Sequence, residues 1–114
     1  DEQRDVFIVG RKKEIIISGG ENIYPQEIEQ CIIKHSNVKE VAVIGTDDPY
    51  WGEVVTAFIV CHEEIDEFEE EIRIFCVQEL AKYKIPKKIF ILHELPKTTV
   101  GKIDKKKLKQ NVSS

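Results

Sequence analysis

The run VVTAFIVC, residues 54–61, constrains this chain more than any other stretch, because only Thr56 interrupts it with a polar side chain. A strand of that composition must be covered on both faces, since a strand with one wet face alternates apolar and polar residues. A second apolar run, VKEVAVIG (38–45), precedes it. The turn TDDPYWGE lies between them, with Pro49 and Gly52 as breakers. Around this pair the chain needs partners with apolar faces. Pro25 opens one helix, where proline's missing N–H costs nothing, and Ile28, Cys31 and Ile32 recur at helical spacing until HSN stops it. Ile65, Phe68, Ile72, Phe75 and Leu80 form the stripe of a second helix, acidic in its first turns as the helix dipole favours. YKIPKK ends it and IFIL (89–92) is a further strand. LPKTTVGKI is a loop, and Asp104 caps a short terminal helix ending near Gln110.

At the other end, DVFIV and EIIIS are short β-rich runs joined by GRKK, a hairpin signature, and SGGEN follows as a loop. The order hairpin, α, β, β, α, β, loop, α predicts an α+β domain, a small mixed sheet with helices packed on it, preceded by a short N-terminal β-hairpin. With 114 residues, 1–114 make a single domain. The hairpin begins almost at residue 1, as if the chain were cut from something longer.

A formal net charge of −4 argues against nucleic acid as a partner. No apolar run reaches the roughly 18 residues of a membrane span, and the acidic start DEQRD is not a signal peptide. Cys31, Cys61 and Cys76 lack CxxC spacing and sit in apolar stretches, which predicts buried free thiols and a reducing, cytoplasmic setting. His35, His62 and His93 have no second ligand at zinc spacing, so no metal site is expected. The acidic cluster Glu63–Glu71 reads as a solvated helix face. VGKID is not a Walker loop: that pattern needs glycine where Pro96 stands and Ser or Thr where Ile103 stands. Two glycine-bearing polar loops remain, GRKKEIIISGGENIYPQEIE and LPKTTVGKIDKKKL. Glycine lets such loops approach a ligand or another backbone closely.

Together these stretches, with DDPYWGEVVTAFIV and LAKYKIPKKIFILHELPKTTVGKIDKKKL, resemble the C-terminal domain of the adenylate-forming enzymes, the superfamily of acyl-CoA synthetases, luciferases and peptide-synthetase adenylation domains. The resemblance runs over residues 6–109. It implies a mobile lid on a larger N-terminal domain that binds most of the ATP and the acyl group. The implied reaction has two steps. A carboxylate attacks the α-phosphate of Mg-ATP to give an acyl-adenylate and pyrophosphate; a thiol then displaces AMP to give a thioester. Mg-ATP and coenzyme A would belong to the full-length enzyme, with none held by this domain alone. Partners would be that N-terminal domain, with ATP or AMP, the acid and CoA at the interface.

By the same resemblance, Lys102 matches the catalytic lysine and Lys13 the hinge. Arg11 matches an arginine at the interdomain junction, near the nucleotide. Gly19, Gly20, Glu21 and Asn22 match the loop lining the pantetheine channel. Asn22 stands where some members carry a phosphate-contacting arginine. SGGENIYPQEIE is closer to the CoA synthetase branch than to the peptide-synthetase branch. An adenylation domain loading a carrier protein, or a non-catalytic interaction module with the lid fold, are the alternatives.

Overall fold

The computed structural model describes residues 15–113. DVFIV and GRKK, with Arg11 and Lys13, lie outside the described residues. Two long strands, β3 (Val38–Asp48) and β4 (Gly52–Cys61), pair antiparallel from Val38 opposite Cys61 to Asp48 opposite Gly52. They form the spine of a five-stranded mixed sheet. The other edge of β4 is shared. β1 (Ile16–Ser18) meets it at the single register pair Ser18–Gly52, and β5 (Lys88–Leu92) runs parallel to it from Thr56 to Val60. β2 (Glu21–Ile23) pairs with β1.

The expected double burial of residues 54–61 is realised. On one face Val41, Val43, Val55, Ala57 and Ile59 pack under α1 (Pro25–Ile32) and α2 (Phe68–Val77). On the other, Ala42, Ile44, Phe58 and Val60 pack under Leu95 and Leu108, the latter from α3 (Lys105–Ser113). Odd and even positions go to opposite faces, as the pleat requires. The polar interruption is satisfied internally: the Thr56 hydroxyl lies 2.8 Å from that of Thr46, both buried. Ile28, Ile32 and Ile72 are fully buried. Each such side chain contributes about 1.5–3 kcal/mol through burial.

β3 is an edge strand, and its open N–H groups need cover. Glu29 on α1 supplies part of it. Its Oε2 accepts the Val43 N–H at 2.8 Å and pairs with Lys105 Nζ of α3 at 2.8 Å. One carboxylate therefore ties the two helices across the edge.

Three expectations shift. Glu21–Ile23 is a strand rather than loop, so the hairpin seen among the described residues is β1–β2, turned by Gly19 and Gly20. In α2 the buried line is Phe68, Ile72 and Cys76, one residue each four along, while Phe75 is partly buried and Ile65, ahead of the helix, is exposed. Of the three thiols, Cys31 and Cys76 are buried but Cys61 only half so. Pro25 does open α1, and Asp104 does cap α3.

Candidate functional site

The segment carrying Lys102 is a small hairpin of its own. Lys97 bridges Ile103, the Thr98 N–H donates to Lys102 O at 2.7 Å, and the Gly101 N–H donates to Thr98 O at 2.9 Å. A four-residue turn closed in this way needs a left-handed residue before the return arm, and Gly101 supplies it with φ +87°. The Thr98 hydroxyl also accepts the Lys102 N–H at 3.3 Å. The base is anchored by buried Leu95 and partly buried Ile103 in the second core layer. Asp104 closes it, donating its N–H to Pro96 O at 2.8 Å, while its Oδ1 accepts the Lys107 N–H at 3.1 Å. A fixed backbone thus carries an exposed lysine.

The neighbouring lysines are mostly engaged. Lys97 pairs with Glu40 at 3.2 Å, Lys105 with Glu29 at 2.8 Å, and Lys109 faces Glu53 at 3.8 Å. Lys105 is thereby a structural tie. Lys102 Nζ has no carboxylate within ion-pair distance among the described residues. Its charge is open to an incoming anion.

Gly19 and Gly20 form the two-residue turn of the β1–β2 hairpin, with φ +57° and +85°. Positive φ at both positions suits the twist of a two-residue hairpin. Gly19 is also forced by packing: a Cβ there would stand 2.8 Å from Trp51 Cε3, and its N–H donates to Trp51 O at 2.9 Å. Gly20 is the reverse case. A Cβ there meets nothing within 4 Å, so bare backbone faces open space. Glu21 and Asn22 follow with exposed side chains. Asp48 fixes the turn beneath, its Oδ2 accepting the Tyr50 and Trp51 N–H groups at 3.0 and 2.9 Å. Lys87 Nζ lies over the Trp51 ring at 4.8 Å.

The structure brings Gly19, Gly20, Glu21 and Asn22 together and keeps them apart from Lys102. The glycine turn sits where β4 begins, at Gly52; the Lys102 hairpin sits by Glu40, at the far end of β3. Eight residues of extended strand separate those ends, roughly 25 Å. The predicted positions Arg11 and Lys13 lie outside the described residues. Trp51 and Glu53 do not stand out by chemistry in the sequence; the available signal was the chain's single tryptophan placed in a turn. Among the described residues no helix is long and apolar enough to cross a membrane.

Comparison with known proteins bears on this arrangement. Residues 27–102 match the family model of the AMP-binding enzyme C-terminal domain. The chain is 53% identical over 113 residues to the 2-succinylbenzoate–CoA ligase of Listeria monocytogenes serotype 4b (strain F2365), covering 99% of this chain and 24% of that protein. It is 45% identical over 109 residues to the ligase of the same name from Bacillus pumilus (strain SAFR-032), covering 96% and 22%. Among solved structures, the Mycobacterium tuberculosis fatty acyl CoA synthetase superposes with TM-score 0.81 at 44% identity, over 88% of this chain and 20% of that one. A double mutant of o-succinylbenzoate CoA synthetase (MenE) from Bacillus subtilis, bound with the product analogue OSB-NCoA, superposes with TM-score 0.78 at 40% identity, over 91% and 21%. The chain therefore spans about a quarter of the length of the ligases it matches, and it belongs to the AMP-binding enzyme C-terminal domain family.

Proposed function

We propose that this chain is the mobile C-terminal domain of an AMP-forming acid–CoA ligase in the cytoplasm, with 2-succinylbenzoate as the carboxylate. Lys102 would serve the first half-reaction and the Gly19–Gly20 turn the second. The observation that carries this reading is that Lys102, with no carboxylate at ion-pair distance among the described residues, and a bare glycine turn stand beside opposite ends of β3. Groups held beside opposite ends of β3 do not work at one reacting centre together. A domain that rotates between steps brings each in turn.

The chemistry fits each end. When a carboxylate meets a triphosphate, like charges repel and more charge develops on the α-phosphate oxygens. A fixed-backbone lysine reaching both groups offsets that charge. Mg-ATP, the acid and coenzyme A are substrates at the interface with the N-terminal domain. At the other end, Gly20 leaves room for the narrow pantetheine arm to pass the backbone. Lys13 acts as the hinge whose dihedrals absorb the rotation, and Arg11 steadies the junction near the nucleotide. CoA rather than a carrier protein is favoured as acceptor because the relatives matched over nearly the whole chain are named as CoA ligases.

In the full-length enzyme, Lys102→Ala is expected to slow pyrophosphate release by about 10²–10³, the scale for losing one preorganised charge-stabilising donor. Thioester formation from supplied acyl-adenylate should persist. Equal loss in both half-reactions would refute the role. Lys13→Pro should do the opposite, sparing adenylation and slowing the thioester step. A full second step in that variant would remove the hinge assignment.

A further inference from the structure

The β1–β2 hairpin, which carries the glycine turn, is anchored in the core by Ile16 and Ile23, but its ladder to the sheet is short. β1 shares only the register pair Ser18–Gly52 with β4. One residue further back the ladder has ended, and the Ile17 N–H would lack a strand acceptor. The Glu53 side chain takes that place: its Oε1 accepts the Ile17 N–H at 3.0 Å. The carboxyl lies over Gly45, where an added Cβ would stand 3.1 Å from Glu53 Cδ and equally close to Ile16. Its other oxygen, Oε2, faces Lys109 Nζ of α3 at 3.8 Å. Glu53 thus joins three parts: the glycine hairpin, the start of β4 and the terminal helix.

We infer that Glu53 is a positioning residue for the thioester step, setting the height and tilt of the Gly19–Gly20 turn through the Ile17 N–H. This rests on the assignment of that turn to the second half-reaction. Glu53 touches no substrate in this role. It fixes the strand two residues before the turn, and a carboxylate substitutes for a missing ladder acceptor. Reach sets the contact, since Glu53 brings its Oε1 to 3.0 Å from the Ile17 N and an aspartate draws the carboxylate back by one methylene. Charge is secondary, because the Lys109 contact is long and partly exposed.

The test uses the full-length enzyme and measures each half-reaction separately. Glu53→Ala and Glu53→Asp should raise KM for the thiol by about tenfold, less than the roughly 10² that a full ångström of misplacement can cost. Pyrophosphate release should stay within about twofold of wild type, which also shows that the variants fold. Glu53→Gln keeps an oxygen at the same reach and should restore the second step. A merely stabilising residue would lower the melting temperature in the Ala and Asp variants without moving the thiol KM. Gly20→Val reports on the turn itself. If it slows thioester formation while Glu53→Ala and Glu53→Asp do not, the positioning role falls and the turn assignment stands. If none of the three slows it, both fall.

Discussion

Gly19 and Gly20 are neighbours of one type with different reasons to be glycine. Gly19 combines a left-handed φ with a Trp51 ring that would meet any Cβ at 2.8 Å, whereas Gly20 has the left-handed φ alone. Gly19→Ala should therefore destabilise the fold by more than Gly20→Ala, about 2–4 against 1–2 kcal/mol, since only the first adds overpacking to backbone strain. Urea midpoints of the two variants measure this, and equal shifts would contradict it. Trimming the ring with Trp51→Leu should recover part of the Gly19→Ala loss, and a double-mutant cycle reads that coupling. The steric half of this was not legible in the sequence. Trp51 reaches Gly19 only because β1 docks at the start of β4. Composition shows the glycines and the tryptophan but not their meeting. Lys102 is legible by motif, yet the openness of its charge depends on where Glu40, Glu29 and Glu53 lie, since those carboxylates engage Lys97, Lys105 and Lys109 instead.

The elements divide by how local their causes are. β4 is legible because seven apolar residues in eight admit one outcome, burial on both faces. α1 is legible from Pro25 and the Ile28–Cys31–Ile32 spacing. β2 is not, for Glu21–Asn22–Ile23 has no strand pattern and pairs only because two positive-φ glycines fold it back on β1. The start of α2 is another miss. Glu67, a non-glycine residue at φ 58°, precedes the helix with no side-chain cap, so the stripe begins at Phe68 rather than at Ile65. The cap of α3 was expected and matters twice, because Asp104 also closes the base of the Lys102 hairpin. Asp104→Ala should cost about 1 kcal/mol of stability through the lost cap, measured by thermal unfolding. No change in melting temperature would mean that solvent replaces the carboxylate without cost.

Across the molecule, packing also sets how stability depends on pH. Burial in the first core layer pushes the Cys76 thiol up to about 12, from an ordinary 9.0, and raises Cys31 and Cys61 in the same direction. In the unfolded chain these thiols ionise near 9.0, while the folded chain keeps the Cys76 proton until about pH 12. Between those values the folded state holds more protons, so stability falls as pH rises, by about 1.4 kcal/mol per pH unit for that group. Below pH 9 these thiols give no slope. Urea unfolding at pH 7, 9 and 10.5 checks the sign, and a midpoint rising above pH 9 would contradict it. On the same scale, we propose, one small domain carries two working ends used in turn. The direct measurement is a crossed half-reaction assay on the full-length protein, comparing Lys102→Ala with Gly20→Val in pyrophosphate release and in thioester formation from supplied acyl-adenylate. Lys102→Ala should lose the first step and keep the second, and Gly20→Val should keep the first and lose the second. Loss of the same step in both variants would contradict the account.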